Sequence, residues 1–215
     1  MSATVPFERF GDQIRLAWRQ QPPIPEMPNY LVWSSLSPDE GQALRNLSIG
    51  KWVIEIGAAF GFSASAMAWR AEHVWSLDPH AVVPAYGLFG IEQTTNPEIY
   101  QGGTLEHMRA NLAQVGLLDK VTICTGYSQS LLAAGAELAT ELTAKKLDFA
   151  FIDGDHSYGM CLADLRNCER ILTRPATIAI HDFNEMNNQE VSKAINDWRG
   201  DRPMRLVDTL AIVEL

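Results

Sequence analysis

After about residue 50 the sequence switches repeatedly between short apolar runs and amphipathic stretches, a rhythm few folds accommodate. Trp52-Val53-Ile54-Glu55-Ile56, Val74-Trp75-Ser76-Leu77-Asp78, Val121-Thr122-Ile123-Cys124, Leu147 to Ile152 and Thr177-Ile178-Ala179-Ile180-His181 read as buried strands. Between and after them, helical spacing predicts helices from about Ser63 to Arg70, Thr104 to Val115, Leu131 to Ala144 and Glu190 to Trp198. One more carries Cys161, Leu165, Cys168 and Leu172 on one face. Strand and helix alternating in this way make an α/β fold, a parallel sheet with helices on both faces. Two apolar runs around Asp208-Thr209, between Arg205 and Leu215, predict a closing antiparallel hairpin. The expected sheet is therefore seven-stranded and mostly parallel. In such folds the ligand lies beyond the carboxyl ends of the strands.

Before residue 50 the pattern differs. A helix from Phe7 to about Arg19, a proline-rich connector from Gln21 to Pro28 and a second helix are expected. Ser37 ahead of Pro38-Asp39-Glu40 supplies the N-cap, the first-turn proline and the acid of a capping box. Residues 1–50 thus read as an N-terminal helical cap segment and residues 51–215 as the main domain. Lys and Arg number 17 against 26 Asp and Glu, a net charge of −9. That balance argues against a nucleic-acid or anionic-membrane surface. There is no apolar run of about 18 residues and no secretory layout at the N-terminus. Cys161 and Cys168 lie about 10 Å apart on one helix, too far to bridge. With Cys124 they read as reduced thiols of a cytoplasmic protein.

The strand ends carry the chemistry. Glu55 closes the first strand, followed by Gly57-Ala58-Ala59-Phe60-Gly61-Phe62-Ser63, a tight turn that allows close backbone approach. Its G-x-x-x-G spacing is neither the dinucleotide nor the phosphate-loop fingerprint. Buried Glu55 needs a partner, and an α-amino group supplies one. Asp78 follows 23 residues later, where open α/β nucleotide sites place a ribose-binding acid. Ser128-Gln129 could read an adenine edge or simply start a helix. Asp153-Gly154-Asp155-His156-Ser157-Tyr158 and His181-Asp182 bring carboxylates and imidazoles to neighbouring strand ends. Such a set suits Mg²⁺ or Mn²⁺. The bland alternative is helix capping by Asp153 and His156. Zinc is disfavoured, because no Cys lies nearby and no H-x-x-x-H occurs.

These residues together resemble the class I S-adenosylmethionine-dependent methyltransferases, in particular the group with macrolide-sugar O-methyltransferases and cephalosporin-hydroxylase-like proteins. The resemblance runs from about Leu36 to about Trp198 and includes the stretch Thr104 to Leu112. It implies a Rossmann-like methyltransferase fold. It implies that Glu55 and the Gly57–Gly61 loop, with Gly57, Ala58 and Gly61, hold the methionine part of S-adenosylmethionine, that Ser63 also lines the cofactor site and that Asp78 binds the ribose. Ser128 and Gln129 match an adenine-side dipeptide, and Asp153 and His156 border the cofactor. Asp153, His181 and Asp182 match metal-ligand positions, and His156 matches a general base, giving His156, Asp153 and Asp182 as the catalytic set. His181 stands where the macrolide-sugar enzymes carry a ligating glutamate. Arg174-Pro175-Ala176 replaces their Pro-Gly-Gly turn.

The implied reaction is methylation of a hydroxyl on a small molecule: a sugar, a phenol or a natural-product intermediate. A homodimer is admitted as the assembly. The rivals are a nicotinamide-dependent oxidoreductase and a catalytically silent cofactor-binding protein on a similar sheet. A divalent cation lowers the pKa of a hydroxyl, and a neutral histidine accepts its proton. The rate is then expected to rise with pH through a value near or somewhat below about 6.5. Residues 84–103 are expected to form a lid, and Pro22 to Tyr30 to close the other side.

Overall fold

The computed structural model describes residues 19–80, 103–185 and 188–215. Two short strands, β1 (Arg19–Gln21) and β2 (Val32–Ser34), pair antiparallel and precede helix α1 (Pro38–Leu47). There follow β3 (Trp52–Ile56), α2 (Phe62–Ala68), β4 (His73–Asp78), α3 (Leu105–Gln114) and β5 (Val121–Thr125). The chain continues through α4 (Ser128–Leu131), α5 (Glu137–Ala144), β6 (Phe149–Ile152), α6 (Tyr158–Ile171) and β7 (Thr177–Ile180). It ends in α7 (Gln189–Arg199), β8 (Met204–Val207) and β9 (Leu210–Glu214).

The main sheet has seven strands in the order β5-β4-β3-β6-β7-β9-β8. Strands β3 to β7 run parallel, and β9 joins β7 antiparallel with β8 outside it. The expected fold class therefore holds, including the closing hairpin across Asp208-Thr209. The strand order reverses between β3 and β6, which makes the cleft beyond Ile56 and Ile152 the ligand position.

Alternation along the strands divides the core in two. Ile54, Ile56, Trp75, Leu77, Ala150 and Ile152 face Leu142, Leu165, Cys168 and Ile195 of the later helices. Val53, Val74, Phe149 and Phe151 face Leu44, Met67 and Met108 on α1, α2 and α3. Glu55, Asp153 and His181 continue this second register and so lie on the α1 and α2 side of the sheet.

Two differences from the sequence reading have simple causes. The helix expected from Leu131 to Ala144 is two helices, broken where Gly135 takes φ +84°. The pairing of β1 with β2 escaped notice because three residues are too few to show a period. The connector between them is core: Ile24 and Tyr30 are buried, and the Tyr30 hydroxyl donates to the Asn111 carbonyl at 2.5 Å. The expected first helix falls outside the described residues apart from Arg19, and the expected lid falls outside them apart from Gly103. The three cysteines are free, with Cys161 and Cys168 buried. Among the described residues no helix is long and apolar enough to cross a membrane.

Candidate active site

The strand ladder runs one residue past its strands and so aims the site. Asp153 N–H donates to the Ile56 carbonyl at 2.8 Å, and His181 N–H donates to that of Ile152 at 3.0 Å. Gly57, at φ +85°, fits where no side chain could. An added Cβ would stand 1.9 Å from the Asp153 carbonyl oxygen. The glycine turn and the D-G-D-H segment thus meet at the strand-order reversal.

Glu55 is fully buried, and Ser63 and Ser76 donate hydroxyl hydrogen bonds to its two oxygens. The sequence reading names an α-amino group as the partner of Glu55; within this chain the Ser63 and Ser76 hydroxyls supply hydrogen bonds to both oxygens. Burial pushes its pKa up to about 7 against those two hydrogen bonds, with Asp78 and Asp153 adding negative charge nearby. Raised above the ordinary 4.5, this pKa makes the protonated acid favour folding below pH 4.5. That contribution is lost as pH rises through about 7. Glu55→Gln is therefore expected to stabilise the chain at pH 8 by on the order of 3 kcal/mol, and less at pH 5. Thermal denaturation at both pH values measures it, and an equal shift at the two contradicts it.

Asp78 holds the glycine turn. Its Oδ2 accepts from Ala58 N and Ala59 N, both at 2.9 Å, and its Oδ1 accepts from His80 N at 2.6 Å. Gly61 caps α2 against Met108. Ser128 and Gln129 do sit at the next strand end, but both side chains donate to Asp164 Oδ1, at 2.6 and 3.0 Å. Burial pushes Asp164 up to about 6. Its part here was not legible, because it lies 36 residues from Ser128.

The densest cluster lies beyond β6 and β7. Asp153, His181 and Asp182 each offer a ligand atom, all within 4.8 Å of one another. His156 Nε2 lies 2.9 Å from Asp182 Oδ2 and 3.8 Å from Asp153 Oδ1. His181 Nδ1 stands 3.3 Å from Asp153 Oδ1 and 3.1 Å from Asp182 Oδ1. Yet Nδ1 is buried with no hydrogen bond of acceptable angle among the described residues. Asp182 sits at φ +65°, a conformation uncommon outside glycine that is held where sites are built. Burial would raise the pKa of Asp182, but hydrogen bonds and charge from His156 and His181 bring it down.

For His156 the chain alone sets a direction opposite to the one expected beside a bound cation. Burial would lower its pKa, but the Asp153 and Asp182 carboxylates outweigh that and push it up to about 10. The sequence reading weighed a neighbouring cation and left out the bare carboxylates.

The sequence also missed Glu40 as a site residue. It completes the capping box, its backbone N–H donating to Ser37 Oγ while its Oε2 accepts from Ser37 N at 2.7 Å. The same buried carboxylate faces His181 Nε2 at 3.3 Å and accepts from Thr209 N and Oγ1 at 2.9 and 2.7 Å.

A glycine turn, an acid at the second strand end and an acidic cluster thus lie together across the strand-order reversal. The family model described as a methyltransferase domain matches residues 54–183, more than half of the chain. The chain belongs to that family. It is an S-adenosylmethionine-dependent methyltransferase of class I, which sets the nicotinamide alternative aside.

A search by sequence finds no match among curated proteins. Solved structures, O-methyltransferases among them, share the fold. The O-methyltransferase NovP is 16% identical, with 84% of this chain and 81% of that one covered and a TM-score of 0.63. Cofactor-bound Rv0187 from MTB is 20% identical, with 83% and 80% covered and a TM-score of 0.58. The O-methyltransferase from Bacillus cereus in complex with SAH is 17% identical, with 84% and 82% covered and a TM-score of 0.56.

Proposed function

We propose that this methyltransferase methylates a hydroxyl of a small molecule, a sugar, a phenol or a natural-product intermediate, with the aid of Mg²⁺ or Mn²⁺. The observation that carries the reading is the convergence of Asp153, His181 and Asp182, with His156 at 2.9 Å from Asp182, beside the glycine turn. Two carboxylates and an imidazole nitrogen left without a well-aimed hydrogen bond form a donor set that fits a divalent cation. When bound there, such an ion lowers the pKa of an acceptor hydroxyl and orients it.

The chain's own residues do the rest. The Gly57–Gly61 turn, steadied by Asp78, offers close backbone approach to the methionine part of the cofactor. Glu55, Ser63, Ser128 and Gln129 shape the wall behind it. His156, half exposed, takes the acceptor proton as the new O–CH₃ bond forms. The S–CH₃ bond breaks, and its electron pair stays on sulfur as the neutral thioether. His181, nearly buried, has no comparable access. The intact set of Asp153, His156 and Asp182 speaks against a silent cofactor-binding protein. The three free thiols suit a reducing compartment such as the cytoplasm.

The test is a turnover screen with S-adenosylmethionine against sugars and phenols, with Mg²⁺ or Mn²⁺ supplied and the demethylated cofactor detected. Metal-dependent product from a hydroxyl substrate supports the reading, and transfer to nitrogen or carbon only would overturn it. Asp78→Ala is expected to weaken S-adenosylhomocysteine binding in calorimetry by about tenfold, the scale of one or two charge-assisted hydrogen bonds. Unchanged affinity removes Asp78 from the cofactor site.

A further inference from the structure

The buried acid of the capping box does more than start a helix. Glu40 has an almost fully buried side chain, and its two oxygens face four donors from three parts of the chain. Oε1 accepts from Thr209 N and Oγ1, Oε2 accepts from Ser37 N, and His181 Nε2 stands 3.3 Å from Oε2. A helix cap needs only the Ser37 contact. The contact with His181 has a chemical consequence. An imidazole that donates through Nε2 presents the lone pair of Nδ1, and Nδ1 here lies between Asp153 and Asp182. A carboxylate behind a ligating histidine fixes its tautomer and ring orientation and raises its basicity.

We propose that Glu40 is a positioning residue, holding His181 so that Nδ1 completes a mixed nitrogen and oxygen site for a first-row divalent ion with Asp153 and Asp182. The inference rests on the metal-assisted reading above and deepens it. It makes the helix ahead of the family-matched region part of the ion site, and it gives His181 a defined ligating atom. Imidazole nitrogen in place of a third oxygen moves the donor set toward the ions that tolerate nitrogen, away from one that demands an oxygen octahedron.

Mn²⁺ is the probe, because it reports both affinity and nitrogen coordination. Calorimetry on the full chain gives affinity, and electron spin-echo modulation of the bound ion detects a coupled imidazole nitrogen. The wild-type chain is expected to bind Mn²⁺ with one such coupling, and His181→Gln to lose it. Glu40→Gln is expected to weaken Mn²⁺ binding by about 10–100-fold, the effect of losing an outer-shell partner. Asp208→Ala is the structural control. It cuts another tie between the start of α1 and the hairpin, the 2.5 Å bond from Ser37 Oγ, without touching Glu40 or His181. Its Mn²⁺ affinity is expected to stay near wild type. Circular dichroism checks folding, and Glu40→Asp, with the carboxylate drawn back, replaces Glu40→Gln if that variant unfolds. If wild type binds no Mn²⁺, the metal-assisted reading fails and the inference with it. If Mn²⁺ binds without nitrogen coupling, or the coupling survives His181→Gln, the inference alone is overturned. Equal weakening by the Glu40 and Asp208 variants also overturns it.

Discussion

Alanine at His156 is expected to lower methyl-transfer turnover by about 10²–10⁴-fold, the span of a general base, while cofactor affinity stays near wild type. Two imidazoles stand at these strand ends, and their surroundings separate them. His181 is nearly buried, with Glu40 at one ring nitrogen and two carboxylates about the other. His156 keeps solvent access and meets the carboxylates through Nε2. Those carboxylates hold its proton up to about 10 in the chain alone. They are also the ones on which the proposed cation would draw, so His156 is free to accept a proton only while their charge is engaged elsewhere. Steady-state rates for His156→Ala and His181→Ala decide the assignment. Normal turnover in the first with loss in the second would make His156 a helix-capping residue.

Loss of Asp153 is expected to be at least as severe. Its carboxylate is within reach of both histidines, and its backbone is locked to Ile56 and pressed by Gly57. Asp153→Ala should weaken divalent-ion binding by more than the about 10–100-fold that an outer-shell loss brings. Added Mn²⁺ should raise the melting temperature of wild type by mass action and leave that of Asp153→Ala unmoved. Chelator should abolish turnover without unfolding the chain. Full activity in excess chelator would remove the ion from the mechanism.

What could be read in advance follows from how far apart the cooperating residues lie. Glu55, Asp153 and His181 each terminate an apolar strand, and the rule that ligands meet the carboxyl ends of parallel strands gathers them without coordinates. The capping box of Ser37 and Glu40 is a local pattern and was equally plain. That pattern also concealed the second task of Glu40, since a residue with one satisfactory local role invites no search for another. Its partners His181 and Thr209 lie far along the chain, the latter by 169 positions. No spacing rule reaches so far. The same holds for Ser128 and Gln129, whose side chains turn to Asp164, a residue the sequence presents only as one polar position on a helix. The raised pKa of His156 in the chain alone was out of reach for a related reason: Asp182, its nearest carboxylate, comes from another strand end.

The bond from Thr209 to Glu40 bears on the order in which the molecule is made. It joins a residue from the first quarter of the chain to the turn of the last hairpin, which closes a very long loop. Such a contact forms late, after the loop entropy has been offset by the sheet between. Until the final two strands dock, Glu40 lacks two of its four donors and is not fixed against His181. A nascent chain still lacking that hairpin, or one clipped there by a protease, therefore carries every residue of the ion site without the site itself.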